Sequence, residues 1–203
     1  MNKSTGGFCT GSVIAGTTVL TAAHCVWNKR TRNWLPPDSL HFVAGYNRGS
    51  YLIHSGVTAI RVAESRRRNG AKQAPEDDWA LLTLKRDILK TTGRLALVTA
   101  DDNDPADQSA QSTVLQAGYS QDRAHILTRH SGCRVHHYLR KKRIILHDCD
   151  ATKGDSGSPI LTFRGQMPAI LGIHVATGRF QDGDWGIALH ASAFADQVGT
   201  GQD

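Results

Sequence analysis

Gly154-Asp155-Ser156-Gly157-Ser158-Pro159 sets a serine between two glycines. Glycine tolerates backbone angles that other residues resist, so amide groups on either side of the hydroxyl can point at one spot. Taken alone, such a Gly/Ser-rich stretch is a turn and nothing more. Working outward from it, short apolar runs alternate with turn signals: Thr113–Ala117, Ile144–His147, Pro159–Phe163, Ala169–Val175 and Trp185–Leu189. The first half repeats the pattern with Phe8–Ile14, Val19–Thr21, Leu40–Ala44, Tyr51–Ala63 (broken near Gly56) and Trp79–Leu84. Almost nothing recurs at the helical period, so the chain reads as all-β. One short C-terminal helix is expected over Ala191–Val198, capped by Ser192 and stopped by Gly199. The acidic, proline-containing stretch Ala100–Gln108 reads as a connection between halves. Many short strands at this spacing suit sheets closed into barrels or packed as a sandwich.

Two further segments carry chemistry. Thr21-Ala22-Ala23-His24-Cys25 places a histidine at the end of a β-branched run, and imidazole is the side chain that can take and return a proton near neutrality. The chain has ten histidines, and most histidines in proteins are ordinary surface or core residues. Asp77-Asp78-Trp79-Ala80-Leu81-Leu82 brings a carboxylate into an apolar strand, where burial demands a cationic or hydrogen-bonding partner. Alone, it is a turn aspartate before a strand.

Taken together the three segments resemble the trypsin/chymotrypsin family, whose T-A-A-H-C, D-x-A-L and G-D-S-G segments occur here in that order. The order His, Asp, Ser separates this family from α/β-hydrolases and subtilisins. The resemblance runs from Gly7 to about Phe194, with Val114–Tyr119 similar to the strand and turn opening the second barrel. Ser158-Pro159 in place of Gly-Pro, together with short loops, is more similar to the bacterial glutamyl-endopeptidase branch. It implies two six-stranded antiparallel β-barrels: an N-terminal lobe over residues 1–100 with His24 and Asp78, and a C-terminal lobe over 101–203 with Ser156 and the substrate pocket. It also implies a Cys9–Cys25 bridge and leaves Cys133 to pair with Cys149, each bridge contributing about 2–4 kcal/mol. In a reducing compartment both pairs are buried thiols instead.

Carried over residue by residue, the resemblance makes Ser156 the nucleophile, His24 its base and Asp78 the group that orients the imidazole. The N–H groups of Gly154 and Ser156 become the oxyanion hole. Specificity is divided. Asp150, six residues before Ser156, matches the carboxylate that binds Arg or Lys in the trypsin branch. His174 matches the imidazole that helps bind a substrate carboxylate in glutamyl endopeptidases. A third possibility is that the two pair or turn away and leave a neutral pocket. An acid without a cationic partner at the pocket base is costly, which tilts the expectation slightly to Arg/Lys, with Glu next.

Composition bounds the remaining classes. A chain of 203 residues with 39% hydrophobic and 21% charged residues suits a globular enzyme. Net charge is +6, but the basic runs Arg66–Arg68 and Arg140–Arg143 lack the interleaved aromatics of a base-stacking surface, so they read as solvated charge and no nucleic-acid partner is expected. No apolar stretch is long enough to span a membrane, and Met1–Gly7 has no apolar signal core. Four cysteines without a C-x-x-C pair argue against zinc and favour an oxidising compartment; His136-His137 has no ligand spacing, and no metal or cofactor is required. The expected protein is a secreted or periplasmic monomer acting on polypeptides. Eight residues precede Cys9, so the first barrel is expected to miss its N-terminal strand, and a free terminus pairing with Asp155, as in zymogen-type relatives, is in doubt. The competing class is a non-catalytic relative kept as a binding module, although no triad member has been lost.

Overall fold

Short β-branched and leucine-rich runs between turns become strands wherever a neighbouring strand can satisfy their backbone groups. The computed structural model describes residues 7–69, 75–98, 112–140, 143–180 and 183–198. In chain order the strands are β1 (Ser12–Ala15), β2 (Thr18–Thr21), β3 (Trp27–Asn28), β4 (Asn33–Trp34), β5 (His41–Ala44), β6 (Ile53–Val62) and β7 (Ala80–Leu84). They continue as β8 (Ala96–Leu97), β9 (Thr113–Gly118), β10 (Thr128–Leu139), β11 (Ile144–His147), β12 (Pro159–Arg164), β13 (Met167–Phe180) and β14 (Gly183–His190). Two short helices, α1 (Glu64–Asn69) and α2 (Leu89–Thr92), lie between β6 and β8.

Five strands form an open antiparallel sheet in the order β1-β2-β7-β6-β5. Strands β12-β9-β10-β11-β14-β13 close through the β12–β13 pairing into a six-stranded barrel. The mostly-β architecture matches the expectation, and the first sheet stays open between its edges β1 and β5. Ala96–Leu97, in the stretch assigned to the first lobe, pairs in parallel with β13 of the barrel. The expected connection at 100–108 lies outside the described residues, as do Met1–Gly6, Gly199 and the Lys141-Lys142 centre of the second basic run.

Several elements differ from the sequence pattern. β10 carries Arg129, His130, Arg134, His136 and His137, and only Cys133 and Val135 along it are buried. It is a strand because β9 and β11 pair with its two ends. β6 runs through Gly56 without a break, and its irregularity falls between Val57 and Ala59. The C-terminal helical segment is two 3₁₀ turns, Ala191–Ala193 and Ala195–Gln197, and the His190 ring, not Ser192, accepts the first free amide, that of Ser192. Seating Ala191 and Phe194 fully in the core holds that segment tighter than an α-helix allows. No helix among the described residues is long and apolar enough to cross a membrane.

Three apolar clusters organise the interior. Val19, Leu82 and Ile88 fill the open sheet, and Val135, Ile160 and Leu171 fill the barrel. The third joins Leu20 and Leu81 of the first sheet and Trp79 just before β7 to Ile173 and Leu189 of the barrel and Phe194 of the C-terminal segment. The ends of β2 and β7 are thereby pressed against the barrel.

Candidate active site

The three sequence-predicted catalytic side chains come from loops at that junction. β2 ends at Thr21, and the chain turns at once into a 3₁₀ turn, Ala23–Val26, that carries His24. Asp78 enters β7, the neighbour of β2 in the sheet, and the two loops are tied by a bond from Ala23 N–H to the Asp78 carbonyl (3.2 Å). One Asp78 oxygen accepts the His24 backbone N–H at 2.9 Å, and the other lies 2.8 Å from His24 Nδ1. The carboxylate thus fixes both the main chain and the ring of the same residue.

Ser156 sits in the loop between β11 and β12. That loop is anchored by Thr10 N–H to the Ser156 carbonyl (2.9 Å), Gly157 N–H to the His174 carbonyl (2.8 Å) and His174 N–H to the Ser158 carbonyl (2.8 Å). Cys9–Cys25 and Cys133–Cys149 are both disulfides, and the first joins the segment anchoring Ser156 to the residue after His24. His24, Ser156 and Gly154 border one cleft of about 380 Å³, with Trp27, Lys29 and Lys153 on its walls. Gly154 (φ 98°) and Gly157 (φ 82°) lie in the left-handed region. Among the described residues neither the Gly154 nor the Ser156 amide donates to a protein acceptor.

Electrostatics separates the three aspartates of the region. Burial by itself pushes the Asp78 carboxyl up, but the His24 hydrogen bond and charge and the Arg66 cation outweigh it and hold the group below its ordinary range. Asp155 is raised, burial being the main cause, and its oxygens accept from Ser120 Oγ (2.8 Å) and Thr152 N–H (2.9 Å). Asp150 is exposed and lines a separate 390 Å³ groove with Ser120, His130 and Asp155, which neither His24 nor Ser156 borders.

His174 is buried on β13, its Nδ1 3.2 Å from Nε2 of His147, also buried. Burial, with a contribution from the His24 charge, lowers His174 to about 4; burial and the His174 charge lower His147 to about 3. His147 Nδ1 accepts the Cys149 N–H (3.2 Å). No bond joins Asp150 to His174 among the described residues, so the structure separates the two specificity candidates.

Two residues of the region escaped the sequence pattern. Arg66 belongs to a run read as solvated charge, yet it is buried with NH1 3.4 Å from an Asp78 oxygen. His147 closes an apolar run and carries no motif; its pairing with His174 is visible only in the fold. Cys9, His24 and Cys25 bring three metal-type donors together, but both sulfurs belong to a disulfide and offer no thiolate.

An open sheet joined to a closed six-stranded barrel, with a His–Asp pair and a serine loop at their junction, defines a trypsin-like architecture. The trypsin family profile matches residues 1–198, and the chain belongs to that family. A solved structure of a Glu endopeptidase in complex with MPD superposes with a TM-score of 0.77 at 23% identity, covering 96% of this chain and 85% of that one. At that identity the likeness is one of fold. No curated protein sequence matches the chain.

Proposed function

We propose that the protein is a serine endopeptidase in which Ser156 is the nucleophile, His24 the general base and Asp78 the residue that orients the imidazole. The observation that carries this reading is the Asp78 carboxylate, bonded to both the backbone and the ring of His24, beside the cleft that Ser156 borders. In the acylation step Ser156 Oγ bonds to the scissile carbonyl carbon while His24 takes the hydroxyl proton. The C–N bond then breaks and His24 passes that proton to the leaving amine. Water, activated by the same ring, hydrolyses the acyl-enzyme. The amides of Gly154 and Ser156 hold the oxyanion, a contribution of about 3–4 kcal/mol per donor in such sites. Residues 1–100 and 101–203 act as the two lobes that supply, respectively, the base pair and the nucleophile. The two disulfides suit an oxidising compartment outside the cytosol.

For the P1 side chain the geometry favours an acidic residue. His174 is bonded through its backbone to Gly157 and Ser158, the two residues after the nucleophile, and is backed by His147, whereas Asp150 faces the other groove. A buried imidazole N–H can donate to an incoming carboxylate, which also stabilises the charged ring. Lys29 and Lys153 border the cleft and no carboxylate does so among the described residues, which suits a substrate with acidic residues near the scissile bond.

A fluorophosphonate probe combined with a peptide-library digest tests the reading. The wild type is expected to label and to cleave after Glu, with both lost in Ser156→Ala and the Glu preference lost in His174→Leu. A folded wild type that neither labels nor cleaves points to a binding module instead. Cleavage after Arg or Lys, abolished by Asp150→Ser, restores the basic-specificity reading.

A further inference from the structure

A guanidinium is rarely buried without a charge to meet it. α1 divides its three arginines by their direction: Arg67 and Arg68 turn outward to Glu64 at 2.8 and 3.1 Å, while Arg66 turns inward. Its NH1 lies 3.4 Å from the Asp78 oxygen that also accepts the His24 backbone N–H, leaving the other oxygen to the His24 ring. The adjacent Asp77 is engaged elsewhere, by Ser65 Oγ at 2.6 Å and Arg143 at 3.6 Å.

We infer that Arg66 is a positioning residue for Asp78, the permanent counter-charge that keeps this carboxylate ionised and aimed at Nδ1 while the His24 ring is neutral. The inference rests on the serine-endopeptidase reading of the site. A base must be neutral before the serine attacks, and at that moment His24 offers the buried carboxylate a hydrogen bond but no charge. Without a second cation the carboxyl either takes up a proton or draws the ring into its charged form. Both remove the base. Arginine suits the task because it stays charged at any working pH and its planar fork can hold one oxygen while the other stays free. The groups acting on Asp78 are His24, from the turn after β2, and Arg66, from α1; His174, from β13, interacts with His24 by charge.

The test compares Arg66→Gln, which removes the charge, with Arg66→Lys, which keeps it. The Gln variant is expected to lose about ten- to a hundredfold in kcat, with KM within about twofold of wild type. The acid limb of its kcat/KM profile is expected to move to higher pH, because Asp78 then acts on the ring unopposed. The Lys variant should keep the limb in place and recover part of kcat. A folded Gln variant with wild-type kcat and an unmoved limb overturns the inference, as does a loss confined to thermal stability. Where the Gln variant does not fold, the Lys variant decides: a limb displaced despite the retained charge overturns the inference, and a limb in place with reduced kcat supports it. Ser156→Ala and Asp78→Asn separate the two levels. If both abolish hydrolysis while Arg66→Gln changes nothing, only the role of Arg66 fails; if Ser156→Ala retains full activity, the endopeptidase reading fails and the role of Arg66 falls with it.

Discussion

At Gly154 the backbone takes φ 98°, and an added Cβ would meet the Tyr119 carbonyl oxygen, Phe8 Cε2 at 2.8 Å and Gln121 N at 3.0 Å. The obstacles are largely backbone, so the loop itself must shift to admit a side chain. Gly157, at φ 82°, is likewise closed off by the Thr10 carbonyl and the Thr21 hydroxyl. Gly154→Ala is therefore expected to cost about 1–3 kcal/mol of stability and to lower kcat by about a hundredfold or more as the proposed oxyanion donors turn away. Denaturant melts and steady-state kinetics on the purified variant check this; wild-type kcat in Gly154→Ala removes that amide from the proposed oxyanion hole. The glycines on both sides of Ser156 could be read directly from the sequence. Which atoms forbid a Cβ there could not, because Tyr119 lies 35 residues away along the chain.

Among the elements, β11 and β13 flank β14 and bring two imidazoles together across it. His147 of β11 pairs with Gly186 of β14, where a Cβ would run into the His147 ring, and His174 of β13 pairs with Ala188 of the same strand. Both rings have folded values, about 3 and about 4, below the unfolded value of 6.5. Well above pH 6.5 neither state is charged and stability does not respond. As pH falls below that, the unfolded chain binds protons that the folded rings refuse, and stability drops until the folded values are reached. Unfolding free energy is expected to fall by about 4 kcal/mol between pH 7 and pH 5. The lowered Asp78 carboxyl adds to this only below about pH 4. Urea melts at the two pH values measure the drop, and His147→Gln should roughly halve it. Equal stability at pH 7 and pH 5 would mean the rings are not held neutral. The apolar run Ile144–Leu146 marks β11 in advance, whereas the charged β10 has no such mark because its pairing on both sides, not its side chains, makes it a strand.

Over the whole molecule the two sheets differ in closure. The barrel has no free edge along its closed ring, while β1 and β5 are edges of the first sheet. Backbone amides on an edge exchange through local opening, and those in a closed ring require a larger disruption. Native-state hydrogen exchange is thus expected to be slowest in β11, β13 and β14 and faster in β1 and β5. Slower exchange in β1 and β5 than in β14 would show that another segment covers that edge. The central cluster linking Leu20 and Trp79 to Ile173 and Phe194 couples the sheets, so Asp78 and His24 are held against the barrel that carries Ser156.

From its residues alone the chain declared an all-β class, three chemical segments in a diagnostic order, and cysteines able to form two bridges, since these depend on local pattern and spacing. The tertiary structure decided what depends on long-range contact: the burial of Arg66 against Asp78, the turning of Asp150 into a different groove from Ser156, and the edge-on packing of His147 against His174. A side chain's charge is written in its identity, but its role depends on which partner and how much water surround it, and only the folded chain sets those.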